Sequence, residues 1–120
     1  MKRDLDLIRK LLLLAEEKAN QKGFFIPTFD GHTPAEINYH LELLQQANFA
    51  NTQRIATGTV DIWKLGALTW DGQEFLANAK NDTFWKKSMK LVKSKGGSAS
   101  LEVVKMILEN VAKSYFQVDG

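Results

Sequence analysis

The chain has 120 residues, 44% of them hydrophobic and 25% charged, with a formal net charge of +2. This length and balance predict one globular domain that builds its own core. No apolar run approaches the roughly 18 residues of a membrane span, so we expect a cytoplasmic protein without a membrane partner. The absence of cysteine excludes disulfides, thiolate chemistry and cysteine-based zinc sites.

The first predicted element is a helix from about Asp4 to Gln21. Asp4 is placed to cap its start, and Gly23 can close its end in a left-handed conformation. Its apolar residues recur at helical spacing: Leu5, Ile8, Leu11, Leu12 and Ala15.

A short strand is predicted next, in the segment FFIPTFDGH. Phe24, Ile26 and Thr28 alternate with their neighbours, and the letters DGH supply a turn. Because Pro27 has no N–H group, this strand belongs at the edge of a sheet.

The strongest local pattern predicts a helix from Thr33 to Asn48. Thr33 can cap it, Pro34 suits its first position, and Glu36 can complete a capping box. Asn48 can take the left-handed exit position. The stripe expected to be buried consists of Ile37, Leu41, Leu44 and Ala47, with His40 on its flank. We expect Asn38 and Glu42 to be exposed.

Residues 52–65 predict a β-hairpin whose turn spans Thr57 to Thr59, where Gly58 permits a positive φ. Another helix follows, in LTWDGQEFLANAK, with Thr69 as its cap. Gly72 in its first turn weakens this prediction only slightly. Its inward residues are expected to be Phe75, Leu76 and Ala79.

Two further helices complete the predicted elements. Asp82 can cap the first, TFWKKSMKLVK, in which Trp85, Met89 and Val92 share a stripe. After the break SKGGSAS, Ser98 or Ser100 starts the last helix. We therefore predict a core of residues 1–81 and a helical extension of residues 82–120, packed together as one domain.

The order helix, short strand, helix, hairpin, helix predicts the α+β class and is typical of a winged helix. The segment INYHLELLQQANF resembles the recognition helix of bacterial winged-helix regulators, and LTWDGQEFL resembles the segment that follows their wing. The whole chain resembles a family of unknown function from bacteria and their phages, related to the YjcQ-like winged-helix group. The blocks that carry this resemblance are MKRDLDLIRKLL, YHLELL, LTWDGQEFLANAKNDTFW and KGGSASLEVVK. The resemblance implies the fold and supplies no activity.

Charge bears on whether the residue 33–48 helix binds DNA. Residues 23–53 contain no Lys or Arg and three acidic residues, whereas DNA-binding proteins gain affinity by neutralising phosphates. Contacts to phosphate would come from Arg54 and Lys64 around the wing, from Lys2 and Arg3, or from the lysine cluster later in the chain. The candidate contacts to bases are Asn38, Tyr39, Glu42 and Gln45. We expect a regulator-like module that binds double-stranded DNA; the alternative is an adaptor whose acidic helix binds a basic protein.

The second helix from the end carries a lysine face, formed by Lys86, Lys87, Lys90 and Lys93. This face is expected to be solvated, with a nucleic-acid contact as the alternative.

The last helix carries a heptad seam, formed by Leu101, Val104, Leu108, Val111 and Tyr115. The seam packs on its own chain or forms a homodimer.

Enzyme chemistry has little support in the sequence. Asp30, His32 and His40 lack the spacing of a metal site, and no phosphate-binding glycine loop or nucleophile with a base is present. We expect no catalytic residue, no metal and no cofactor. A small hydrolase is therefore the least supported of the three interpretations of function.

Overall fold

The computed structural model describes residues 1–18 and 23–117. Within these ranges the chain is α+β, with five helices and a two-stranded antiparallel sheet. The elements are α1 (Leu5–Glu17), α2 (Pro34–Gln46), β1 (Ala50–Ala56), β2 (Asp61–Leu68), α3 (Trp70–Ala79), α4 (Asp82–Ser94) and α5 (Leu101–Phe116). No helix in the described ranges is long and apolar enough to cross a membrane.

The chain forms two compact units, Met1–Gln73 and Glu74–Gly120. The boundary between them falls within α3. The division after residue 81 between a core and an extension stays a prediction.

In the first unit, α1 begins as its sequence predicts and ends earlier. The Asp4 carboxylate accepts a hydrogen bond from the Leu7 N–H at 3.1 Å, which caps the helix. The last helical residue is Glu17, and Lys18 is the C-cap. The helix therefore ends before the predicted position near Gln21. Gln21 itself lies outside the described residues. Gly23 has a φ of 96° but does not close α1.

The predicted edge strand at Phe24 to Thr28 is also absent from the described structure. Phe25 forms an isolated bridge with Leu65, through N···O distances of 3.0 and 2.8 Å. Pro27 is buried and has no N–H to donate, so it cannot extend this bridge into a ladder.

Helix α2 follows the pattern of its sequence. Thr33 and Glu36 form both halves of the capping box, and Asn48 takes a φ of 58° at the exit. Ile37, Leu41 and Leu44 are buried and Glu42 is exposed, as predicted.

Two side chains of α2 depart from the prediction. Asn38 is half-buried, and its amide donates a hydrogen bond to the Asp61 carbonyl oxygen at 3.4 Å. His40 is 2% exposed and belongs to the core, where the prediction placed it on the flank.

The hairpin that follows α2 is longer than residues 52–65. Gly58 has a φ of 89° in the turn, and β2 continues to Leu68, which pairs with Ala50. The register shifts between Ala50 and Thr52, which marks a bulge. α1 and α2 both pack against this hairpin.

The start of α3 is fastened to the exit of α2. The Thr69 hydroxyl accepts from the Gly72 N–H at 3.1 Å and donates to the Asn48 carbonyl, while the Thr69 N–H donates to the Phe49 carbonyl. A Cβ atom on Gly72 would overlap that same Phe49 carbonyl oxygen. Gly72 is therefore required by packing, whereas the sequence indicates it only as a slight weakness in the predicted helix.

In the second unit, α4 and α5 pack against each other. The cap of α4 is Asn81, whose side chain accepts from the Phe84 N–H at 3.1 Å; the predicted cap, Asp82, instead lies in the first turn. Ser100 caps α5. The residues buried on these helices are Phe84, Trp85, Ser88, Val92, Leu101, Val104, Leu108 and Ala112. Met89, predicted on the stripe, is only partly buried.

Candidate functional site

The outward side of α2 carries the side chains that the sequence proposed as base contacts. Glu42 and Gln45 are exposed, and Tyr39 is half-buried. The Tyr39 ring meets the His40 ring edge-on, with centroids 5.2 Å apart. This contact holds Tyr39 beside a buried residue, so only part of its ring is available to a ligand.

A hydrogen-bonded network joins α2 to the hairpin. The Asn38 amide donates to the backbone carbonyl of Asp61, and the Asp61 carboxylate accepts from Arg54 through Nε at 2.9 Å and Nη2 at 2.5 Å. The structure thereby brings a candidate base contact and a candidate phosphate contact together. It also pairs the Arg54 charge with a carboxylate. Lys64, opposite Gln53 on β2, is half-buried.

A second connection fastens the beginning of the chain to α2. The Asp4 N–H donates to Nε2 of His40 at 2.8 Å, and Nδ1 of the same ring donates to the Glu36 carbonyl at 2.7 Å. Lys2 and Arg3 precede Asp4 directly and are exposed. Two basic residues are thus attached next to a helix that has no Lys or Arg of its own.

The first turn of α2 holds an ionised carboxylate. The His32 ring, whose Nδ1 lies 3.2 Å from a Glu36 carboxylate oxygen, lowers the pKa of Glu36, and the Thr33 N–H lowers it further. Both donors stabilise the charged form of the carboxylate. The negative charge also lies at the positive end of the helix dipole.

In the second unit, every side chain of the lysine face is exposed. The opposite side of α4 is buried, with Phe84 and Trp85 each less than 10% exposed. One member is placed by a specific contact: the Lys87 ammonium lies 4.8 Å from the centroid of the Tyr115 ring. This is a cation–π distance.

The heptad seam of α5 is divided by the structure. Leu101, Val104 and Leu108 are buried within the chain, Val111 is half-buried, and Tyr115 is 48% exposed. A homodimer through α5 stays a prediction. It would have to use side chains other than the first three, such as Val103 or Met106, which are exposed.

Both histidines considered from the sequence as metal ligands, His32 and His40, have other partners. His32 pairs with Glu36, and both ring nitrogens of the buried His40 are in hydrogen bonds. Among residues 1–18 and 23–117, no group of three or more His, Asp or Glu side chains is arranged to hold a metal ion.

Sequence reasoning missed two residues of these surfaces. Asp61 links Asn38 to Arg54; in the hairpin Arg54 pairs with Trp63 and Asp61 pairs with Ala56, so the ion pair is a diagonal contact between the two strands, which the sequence-based prediction did not include. Phe116 was overlooked because it lies outside the heptad seam. It is 74% exposed, beside Tyr115.

Comparison with known proteins identifies a family. The family described as "Hypothetical protein (DUF2513)" matches residues 2–98. An "Uncharacterized protein" of Haemophilus influenzae is 34% identical over 114 residues, which cover 92% of this chain and 95% of the relative. No solved structure matches the chain. Because the family match spans most of the sequence and the relative aligns over nearly its full length, the chain belongs to the DUF2513 family.

Proposed function

We propose that the chain is a non-enzymatic winged-helix module, related to the YjcQ-like group, that acts as a bacterial or phage regulator by binding double-stranded DNA. In this proposal α2 enters the major groove and the hairpin is the wing. The element order around α2 supports it, since a helix packed on the hairpin that follows it is the arrangement of this motif.

The observation that carries the proposal is the network through Asp61. It connects Asn38, which can pair with adenine, to Arg54, which can bind phosphate. A protein that inserts α2 into a groove needs both types of contact on one rigid surface. The network supplies them from two elements that pack together.

This surface can bind DNA although Arg54 is paired with Asp61, because a phosphate group can replace the Asp61 carboxylate as the partner of Arg54. The Arg54–Asp61 pair is exposed, and an exposed ion pair stabilises a protein by about 0–1 kcal/mol. A phosphate therefore displaces Asp61 from Arg54 at small cost. Lys2 and Arg3, attached through Asp4 to His40, add positive charge beside α2.

The test measures, by fluorescence anisotropy, binding of the protein to a pool of randomised duplexes at low salt. Asp61→Asn releases Arg54 from its ion pair, so it should tighten binding to every sequence and steepen the salt dependence by roughly one charge. Asp71→Asn removes an exposed carboxylate of α3 and is the matched control, because it changes the net charge equally. Asn38→Ala should instead relax the choice of sequence.

Two results would contradict the proposal: no binding of the wild-type protein at low salt, or an equal gain from Asp61→Asn and Asp71→Asn. The first result favours the adaptor, which a different observation supports. The first turn of α2 carries an ionised Glu36, and Glu42 is exposed further along. An adaptor should bind a lysine-rich peptide and lose that binding in Glu42→Gln.

A further inference from the structure

Two aromatic side chains are exposed at the end of α5. The rings of Tyr115 and Phe116 lie 5.1 and 6.2 Å from the ring of Phe84, which is buried on α4. Phe84 thus anchors both rings, while Tyr115 remains 48% exposed and Phe116 74% exposed. Two adjacent exposed aromatic rings form a candidate contact surface for a partner.

The lysine face borders this aromatic pair. The Lys87 ammonium lies over the Tyr115 ring, and the other three lysines of the face are exposed along the same helix. Residues 84–120 contain seven lysines and three carboxylates, so this part of the chain attracts anions.

Polar groups lie close to Phe116. This ring lines a shallow groove together with Asn110, Lys113, Ser114 and Gln117. The groove therefore offers amide and hydroxyl groups, which hydrogen-bond to base edges, and a second source of positive charge.

We propose that the second unit carries, within residues 84–117, a site for single-stranded nucleic acid that is separate from the duplex surface of α2. Phe116 and Tyr115 stack on unpaired bases, and the lysine face with Lys113 binds the phosphates. Single strands fit this surface better than a duplex does, because the faces of paired bases are already covered by their neighbours. Exposed aromatic rings beside a basic face are the combination that single-strand-binding proteins use.

An anionic membrane is the other partner that lysines can attract, and the structure disfavours it. Membrane-surface helices insert a wide apolar face, but on α4 Phe84, Trp85 and Val92 are buried within the protein. Leu91 is the one large apolar side chain of α4 that is strongly exposed. Vesicle binding is therefore the competing outcome of the test.

The experiment measures anisotropy of labelled oligo-dT and oligo-U with the full chain at low salt. Phe116→Leu removes the stacking ring and should weaken binding about tenfold, whereas Phe116→Trp should bind at least as tightly as the wild type. Trp70→Leu is the matched control, because Trp70 is 72% exposed in the other unit. For charge, Lys86→Gln with Lys90→Gln should weaken binding more than Lys10→Gln with Lys80→Gln.

Binding of either oligonucleotide with this pattern supports the site, and the ratio of the two affinities tells whether DNA or RNA is preferred. The proposal is wrong if neither oligonucleotide binds, if Phe116→Leu binds like the wild type, or if phosphatidylglycerol vesicles bind through Phe116 while the oligonucleotides do not. Loss of this site leaves the Asp61→Asn effect on duplexes intact, so the two proposals fail independently.

Discussion

The imidazole rings of His32, which precedes α2, and His40, which lies within it, have different roles. His40 accepts from the Asp4 N–H with Nε2 and donates to the Glu36 carbonyl with Nδ1, which requires a neutral ring protonated on Nδ1. His32 instead faces the Glu36 carboxylate. One histidine thus joins backbone groups of α1 and α2, and the other stabilises a charge.

The carboxylate of Glu36 provides a prediction at this scale. Because its pKa is lowered in the folded protein, first by His32, its contribution to stability is present above its unfolded pKa and is lost as the pH falls through its folded pKa. His32→Ala should move the pKa of Glu36 back toward its ordinary value, as followed by carboxyl chemical shifts during an acid titration.

Thr33→Ser is the control for that titration. Serine keeps the hydroxyl and the backbone N–H of the capping box, so the Glu36 titration should resemble that of the wild type. An unchanged pKa of Glu36 in His32→Ala would show that the ring does not stabilise the carboxylate.

At the scale of elements, the junction between α2 and α3 depends on the absence of a side chain at residue 72. Alanine normally stabilises a helix by about 1 kcal/mol over glycine. Gly72→Ala should do the reverse and destabilise the protein by about 2–4 kcal/mol, because its Cβ would collide with backbone rather than with a side chain that can move. Urea denaturation measures the difference.

Ala77→Gly supplies the comparison within the same helix. Ala77 is exposed, so this change should cost only about 1 kcal/mol, the ordinary propensity difference. A stabilising Gly72→Ala would mean that α3 does not approach Phe49 as closely as described.

The structural features that the sequence predicts correctly are those determined by residues close together in the chain. The capping box needs only Thr33 and Glu36, three positions apart, and the hairpin turn needs only Gly58. The misjudged features depend on distant partners: His40 is buried because it meets Asp4, and Gly72 is required because it meets Phe49. No local pattern contains such contacts.

The candidate sites show the same difference between features set by local sequence and features set by contacts between distant residues. The lysine face is exposed as its periodicity indicates, since charge spacing along one helix is a local property. That Asn38 reaches the Asp61 carbonyl, or that Lys87 lies over Tyr115, depends on how separate elements pack. The sequence contained both residues of each pair without indicating that they meet.

For the whole molecule, charge is distributed unequally between the two units. Residues 1–73 contain eight basic and nine acidic side chains, a net charge of −1, whereas residues 74–120 contain eight and five, a net charge of +3. Long-range, non-specific attraction of a polyanion should therefore act chiefly through the second unit, whereas the duplex binding proposed for α2 depends on its specific contacts.

This distribution predicts a salt dependence. If the four lysines of the lysine face each neutralise one phosphate of a single strand, log affinity should fall with log salt at a slope of about −3, or roughly 50-fold for a fourfold rise in salt. Replacing all four with glutamine should remove most of that slope. A slope that the replacement leaves unchanged would assign the attraction to other residues.

The bond from Thr69 to the exit of α2 also bears on the order in which the first unit acquires its structure. Thr69 meets Asn48 and Phe49 only after the intervening hairpin has closed, so in isolation α3 can form its local cap but cannot fasten that cap to the exit of α2. The first turn of a helix usually frays and exchanges its amide hydrogens quickly. Here the Gly72 amide should exchange as slowly as the amides of β1 and β2, because both are released by the same opening event.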